Sequence, residues 1–313
     1  MSLCREMLVR AARRGPFVRV VIVDVKGSSP REPGAAMLVW PEATEGTIGG
    51  GALEWAAVQR ARALPPGART VERFSLGPGL GQCCAGRVTL VFEAMEVTCL
   101  AAIVGPVHAR PITAAPGPMP GAVARAAGGA LPRLVAGWLI EAVDPARAPV
   151  WVWGAGHVGR AVVSVLAPLP DFAVTWADIG ADRFPDPVPA GVAVIAAPDL
   201  AAASAHAPCA AHHLIMTYSH ALDLDLCHRL LCRGFASLGL IGSDQKRARF
   251  ATRLRDLGHK SAQIQRIDCP VGDPTLGKHP QAIAVGVVAG LLRQAGAPPA
   301  ARPARQSAED SAR

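Results

Sequence analysis

A glycine-rich turn in the second half of the chain constrains the fold more than any other segment. Residues 154–159 read GAGHVG, which matches the pattern GxGxxG. The apolar run APVWVW precedes this turn, a helical pattern follows it, and Asp178 ends the next apolar run. In this context the pattern is typical of the first strand–turn–helix unit of a dinucleotide-binding fold.

The same turn has the physical properties of an anion site. Its glycines permit a tight bend and close backbone approach, and the free N–H groups at the helix start attract a phosphate. We therefore predict cofactor binding at Gly154, Gly156, His157 and Gly159, with Asp178 accepting hydrogen bonds from a ribose hydroxyl. A fold does not determine its ligand, so a domain that binds another phosphate compound, or none, stays an alternative.

Strand and helix patterns alternate from residue 148 onward, which predicts a parallel sheet with helices on both faces. We expect at least five strands between about Pro149 and Leu292. The last helix is predicted to begin at Pro280, because proline is favoured in the first turn of a helix. This half is therefore assigned a Rossmann-like fold over residues 148–297, followed by a disordered tail at 298–313.

Polar and basic residues follow the fourth and fifth predicted strands. The carboxyl ends of parallel strands meet at one edge of the sheet, so these residues should share a crevice with the glycine turn. A serine–histidine pair also suggests a hydrolase, but the chain has no GxSxG elbow, and contact with a ligand is the preferred role. The predicted ligand-binding residues at this edge are Ser219, His220, Gly242, Ser243, Lys246 and Arg247.

The first half has the pattern of a small α+β domain, assigned to residues 1–104. Apolar strand patterns cover 17–25, 36–40, 69–76 and 87–95, and a helical pattern covers 52–64. Residues 105–147 begin with a stretch rich in proline and glycine that shows no periodicity, and we assign them to an inter-domain linker.

Cys83 and Cys84 are adjacent in the glycine-rich loop GPGLGQCCAG. Such sulfurs suit a soft metal, a sulfur-rich ligand or a persulfide, although two ordinary buried cysteines are the alternative. Cys227 and Cys232, by contrast, lie in one helical pattern and are expected to pack in the core.

Charge and composition limit the partners. The 313 residues contain 32 Lys and Arg against 24 Asp and Glu, a net charge of +8, which suits an anionic ligand or an acidic surface. No apolar stretch approaches the ~20 residues of a membrane span, and no secretion signal is apparent. We expect a cytoplasmic protein with reduced thiols and with no membrane or nucleic-acid partner.

Six longer stretches are spread over both predicted domains. They read GSSPREPGAAMLV (27–39), GTIGGGALEW (46–55), LGPGLGQCCAGRVTLVFE (76–93), WGAGHVGRAV (153–162), GLIGSDQKRARF (239–250) and LGKHPQAIAV (276–285). Together they resemble the XdhC/CoxI family, the xanthine dehydrogenase accessory proteins.

That resemblance implies a non-catalytic chaperone of the molybdenum cofactor in its molybdopterin form. Such a protein holds the cofactor as cargo while a cysteine desulfurase installs its terminal sulfur, and then delivers it to the molybdenum subunit of apo xanthine dehydrogenase. Proteins of cofactor biosynthesis are further expected partners, and a homodimer is expected because symmetric dimers are common. Cys83 and Cys84 are the expected sulfur contacts to the molybdenum.

Two other functions stay open on the sequence. One is an NAD(P)-dependent oxidoreductase that uses the GxGxxG turn. The other is a structural adaptor that only docks the target enzyme. Binding of the cofactor or of NAD would distinguish them.

Overall fold

The computed structural model describes residues 3–77, 86–113 and 117–295. The chain divides into two compact units between residues 146 and 147. Within the described ranges, no helix combines the length and the apolar composition that a membrane span needs.

The first unit is built around an antiparallel sheet of five strands among its described residues, in the order β3-β2-β1-β5-β4. The central strand is also the longest one, and its pairing with β5 places Phe17 opposite Met95. Its elements up to residue 100 are α1 (Arg5–Ala12), β1 (Phe17–Lys26), β2 (Ala36–Val39), β3 (Thr44–Gly46), α2 (Gly51–Arg62), β4 (Arg69–Ser75), β5 (Arg87–Met95) and α3 (Val97–Leu100).

Helix α2 covers one face of this sheet. Leu53 and Ala57 are fully buried and belong to one core with Ile22, Leu90 and Phe92. The alternation of inward and outward side chains along β1 and β5 supplies the apolar face on which the helix packs.

The assignment of residues 105–147 to a linker is wrong. They form β6 (Val107–Pro111), α4 (Gly121–Ala126), β7 (Arg133–Val135) and β8 (Trp138–Ala142), and the three strands make an antiparallel sheet. The glycines and prolines lie largely between these short elements, as at Gly137, whose positive φ of 76° permits a tight turn from β7 to β8. Leu139 packs into one core with Val21 and Val91 of the larger sheet, so the segment belongs to the first unit.

The prediction of a mostly parallel sheet in the second unit is confirmed. Six described strands, all parallel, follow the order β11-β10-β9-β12-β13-β14, which is the 3-2-1-4-5-6 order of a Rossmann fold. The elements are β9 (Ala148–Trp153), α5 (His157–Leu166), β10 (Phe172–Asp178), β11 (Ala193–Ala196), α6 (Leu200–Ala203), β12 (His212–Ile215), α7 (His220–Arg233), β13 (Ser237–Leu240), α8 (Asp244–Asp256), α9 (Ser261–Ile264), β14 (Ile267–Asp268) and α10 (Pro280–Ala295).

Alternate residues of β9 enter two different cores. Val152 packs with residues of α5 and α10, whereas Trp153 packs with residues of α7 and α8. The two helix layers therefore lie on opposite faces of the sheet. The strand order reverses between β9 and β12, and ligands of open parallel sheets bind at the carboxyl ends of the strands at such a point.

Candidate functional site

The candidate site is the carboxyl edge of the second unit's sheet, defined here as residues 154–157, 216–220 and 241–247. Trp153, Ile215 and Leu240 are aligned across the neighbouring strands β9, β12 and β13. The three segments that follow these strands therefore begin side by side.

Packing within the chain requires two of the three motif glycines. Gly154 has a φ of +113°, and a Cβ atom there would lie 2.5 Å from the carbonyl oxygen of Met216. The indole Nε1 of Trp176 donates a hydrogen bond to the Gly154 carbonyl at 3.0 Å. A Cβ atom on Gly159 would overlap that same carbonyl oxygen, so both positions accept only glycine.

Gly156 differs from these two residues. Its φ is −72°, which any residue can adopt, and an added Cβ atom would meet no heavy atom within 4 Å. It is the N-cap residue of α5, and no side chain caps that helix start. The space beside Gly156 is therefore open at the helix start, next to the exposed His157, and the first-turn N–H groups of a helix have no partner within it.

Asp178, which was expected to accept hydrogen bonds from a ribose hydroxyl, also bonds to the backbone of its own chain. The residue is 2% exposed. Its Oδ2 accepts a hydrogen bond from the Ala155 N–H at 2.5 Å, and its Oδ1 accepts one from the Ile179 N–H at 2.7 Å. The carboxylate therefore stabilises the glycine turn through its hydrogen bond with the Ala155 N–H. Spacing along the chain could not distinguish these roles because both place an acid at the end of β10.

Ser219 and His220 lie at the start of α7. The Ser219 hydroxyl is the helix cap and accepts a hydrogen bond from the Leu222 N–H at 3.4 Å. His220 is exposed and makes an edge-on contact with the Phe250 ring at 6.5 Å between centroids. Ser219 is thus used in capping, and His220 is free to contact a ligand.

Lys246 was expected to hold an anion, but its ammonium is used inside the protein. Nζ lies 2.6 Å from Asp223 Oδ2 and 2.8 Å from the Ile241 carbonyl oxygen. Asp223 is fully buried, and its other oxygen accepts from Thr217 Oγ1 at 2.7 Å. This buried ion pair ties α7 and α8 to the segment after β12. The sequence does not reveal this pair because Asp223 and Lys246 meet only in the tertiary structure.

The remaining predicted residues of the carboxyl edge surround the start of α8. Ser243 caps this helix and accepts from the Lys246 N–H at 3.4 Å. A Cβ atom on Gly242 would lie 2.6 Å from Lys246 Cδ, so the lysine stem requires the glycine. Arg247 is exposed. Of the two predicted cations, it is the one left for an external anion.

The first unit contains a buried ion cluster that the sequence did not predict. Arg19 donates to both carboxylate oxygens of Glu141 at 2.9 and 2.7 Å, and Arg110 bonds to Glu141 and Glu93. Arg110 and His108 line a cleft of about 580 Å³. Burial, together with the charge of Arg110, lowers the pKa of His108 to about 4. The single arginine in the apolar run FVRVVIVDV was the one visible signal of this cluster.

Comparison with known proteins identifies the family. Residues 10–75 match the model of the XdhC and CoxI family, and residues 150–291 match the XdhC Rossmann domain. The chain belongs to the XdhC and CoxI family. The resemblance that its motifs suggested is thereby confirmed.

Two individual proteins are similar over most of this XdhC-family chain. The uncharacterized protein YqeB of Escherichia coli (strain K12) is 27% identical over 94% of the chain, which spans about half (46%) of that protein's length. A crystal structure from Bacillus halodurans, described as a xanthine dehydrogenase, is 20% identical. It aligns with a TM-score of 0.70 over 94% of this chain and 96% of its own, which shows a shared fold.

Two buried cysteines of the second unit are poor candidates for a metal contact. Burial raises the pKa of the Cys269 thiol to about 11, and burial together with Asp223 raises that of Cys227. Neutral thiols are poor ligands for a metal. Cys83 and Cys84 lie outside the described residues, and their expected contact with molybdenum stays a prediction from the sequence.

Proposed function

We propose that this XdhC-family protein is a chaperone of the molybdenum cofactor. It holds the cofactor as cargo during sulfuration and delivers it to apo xanthine dehydrogenase. Family membership supports a role in the maturation of that enzyme. The open backbone around Gly156, at the switch point of a Rossmann sheet, is the observation that supports a cofactor-binding site at this edge.

The chemistry of the cargo fits what this edge offers. The cofactor is a phosphorylated pterin whose dithiolene sulfurs hold the metal. A phosphate suits the uncapped N–H groups of α5, and the exposed guanidinium of Arg247 adds a positive charge. Lys246 and Asp178 serve the site indirectly, since their charged atoms hold α7, α8 and the glycine turn in place.

Delivery requires that the cargo leave again. A site made of backbone N–H groups and one exposed cation binds an anion without enclosing it, which suits transfer between proteins. We expect Cys83 or Cys84 to supply a soft contact near the molybdenum, because a thiolate stabilises such a metal. The protein itself then needs no catalytic step.

The proposed partners follow from the order of events. A cysteine desulfurase must reach the bound cofactor first, and the molybdenum subunit of apo xanthine dehydrogenase must reach it afterwards. These encounters are expected to be transient, with proteins of cofactor biosynthesis upstream. We place the process in the cytoplasm and propose a homodimer as the working state.

An NAD(P)-dependent oxidoreductase is less well supported by the site. In dinucleotide-binding domains the acid after the second strand binds the ribose. In this chain the two oxygens of that acid, Asp178, accept backbone N–H groups, and the side chain is buried.

The decisive experiment compares two glycine variants of the full chain. Gly156→Ala places a methyl group in the open space where a ligand must approach, and Gly290→Ala places one in free space on α10. We expect Gly156→Ala to lower the molybdenum cofactor retained per chain after gel filtration at least about tenfold, while Gly290→Ala retains it like wild type.

Unfolding of both variants, followed by circular dichroism, is the control for stability. Wild-type retention of the cofactor by Gly156→Ala would refute the placement of the site. Titration with NAD in parallel addresses the alternative: tight NAD binding that Gly156→Ala abolishes, without cofactor binding, would favour an oxidoreductase. Stoichiometric presence of this chain in purified active xanthine dehydrogenase would contradict a chaperone.

A further inference from the structure

Three potential metal ligands meet at the far end of α7, outside the carboxyl edge. His228 and Cys232 come from this helix, and His259 comes from the turn after α8. Their ligand atoms all lie within 4.8 Å of one another, and His228 Nδ1 is 2.8 Å from His259 Nε2. Cys232 was expected in the core, but its side chain is exposed.

Local structure holds the three side chains together. His228 and Cys232 are four residues apart on one helix, so they lie on the same face one turn from each other. His259 follows Gly258, whose φ of +89° turns the chain. The N–H of His259 donates a hydrogen bond to the Leu254 carbonyl oxygen at 3.0 Å. Two rigid elements therefore converge on one point.

The spacing of the two imidazoles favours a cation. A neutral imidazole is the form that binds a metal, and two imidazole nitrogens 2.8 Å apart share a single proton. That shared proton can move to the outer nitrogen of one ring, which frees both facing nitrogens.

We propose that His228, Cys232 and His259 bind a Zn²⁺ ion, with water in the fourth position. Two nitrogens and one sulfur form a ligand set that zinc prefers, whereas calcium and magnesium prefer oxygen. Zinc ligands in a tetrahedral site are about 3.3–3.6 Å apart, from Zn–N near 2.0 Å and Zn–S near 2.3 Å. The two imidazoles need to separate only slightly to reach that spacing.

Zinc binding to these three residues needs no oxidant or reductant. The Cys232 thiol loses its proton to the solvent, the shared hydrogen bond between the imidazoles is replaced by two Zn–N bonds, and one ring changes tautomer. Binding therefore releases about one proton per zinc. The ion would tie α7 to the turn after α8.

The test uses the metal-free full chain and zinc sulfate alone, titrated calorimetrically at neutral pH in two buffers of different ionisation enthalpy. We expect one zinc per chain at this site, about one proton released, and weaker binding as the pH falls. With Co²⁺ as the probe, a sulfur-to-cobalt charge-transfer band should appear in the near ultraviolet.

Three variants decide where the metal binds. Cys232→Ser changes an exposed residue, so folding should be preserved, and we expect it to weaken zinc binding at least about tenfold and to abolish the cobalt band. His259→Gln should do the same. Cys209→Ser, at another exposed cysteine of the second unit, is the matched control and should bind like wild type.

Zinc can also bind other thiols, so a double variant, Cys83→Ser with Cys84→Ser, is included. The proposal is overturned if this double variant alone loses the cobalt band, or if Cys232→Ser binds zinc like wild type. A wild-type chain that binds no zinc at micromolar concentration overturns it as well.

Discussion

The ammonium of Lys246 lies 2.6 Å from the carboxylate of Asp223, a residue with no solvent exposure. The pair joins α8 to α7 directly beneath the carboxyl edge. It removes a cation that the sequence assigns to the ligand. The predicted anion contacts that stay available at this edge include the backbone N–H groups of α5 and Arg247.

Replacing Lys246 should lower the free energy of unfolding of the protein. Lys246→Met leaves the Asp223 carboxylate buried and without its counter-ion, which typically costs about 3–5 kcal/mol. We expect that loss in the free energy of unfolding, measured by urea denaturation. Arg247→Met is the matched control at an exposed position and should leave the stability nearly unchanged. Wild-type stability of Lys246→Met, with cofactor lost, would instead make Lys246 a ligand.

The buried ion cluster of the first unit should make the free energy of unfolding depend on pH in the acidic range. Burial raises the pKa of Glu141, but Arg19 and Arg110 outweigh this effect and lower it to about 2. The unfolded value is about 4.3. A pKa that is lower in the folded state contributes stability above the unfolded pKa and loses it as the pH falls toward the folded one.

We therefore expect Glu141→Gln to be less stable than wild type at pH 7 and to lose less stability between about pH 4.5 and 2. Urea unfolding at several pH values measures both effects. Glu45→Gln removes a carboxylate that pairs with Arg10 and Arg14 at the surface, and it should change little. Parallel stability curves for wild type and Glu141→Gln would contradict the expectation.

The third motif glycine should be needed for folding and not for the ligand alone. A methyl group on Gly159 overlaps the Gly154 carbonyl oxygen, so α5 must move away from β9. We expect Gly159→Ala to cost about 1–3 kcal/mol or more, as overpacking does. Thermal unfolding would show this as a lower Tm than for Gly156→Ala. Equal Tm values for the two variants would mean that α5 shifts without cost.

The adjacent cysteines give an asymmetric prediction. If the segment around them is extended, neighbouring side chains point to opposite sides, and only one thiolate can contact the cargo. One of Cys83→Ser and Cys84→Ser should then lose most of the retained cofactor, and the other should keep it. Retention per chain after gel filtration measures both, with circular dichroism as the control for folding. Wild-type retention by both variants would confine the site to the second unit.

Most of the second unit could be predicted from the sequence because its signals are local. The apolar runs that became β9, β10 and β12 are short and lie between helical patterns, and the glycine turn marks the first crossover. The fold of the first unit was harder to predict from the sequence. Short strands such as β6, β7 and β8 are separated by proline and glycine, so their composition resembles that of a linker. Their order comes from tertiary packing, since β7 and β8 are buried against β1 and β5, and β6 packs in one core with α4.

The sequence by itself determined the family, the parallel sheet of the second unit and the position of the glycine turn, because each depends on residues close together in the chain. The tertiary structure alone decided the use of the charged side chains. Asp178 bonds to the backbone of the turn, Lys246 pairs with Asp223, and Arg19 pairs with Glu141 across 122 residues. A charge removed from water must find a partner wherever the fold supplies one, and that partner is not fixed by spacing along the chain.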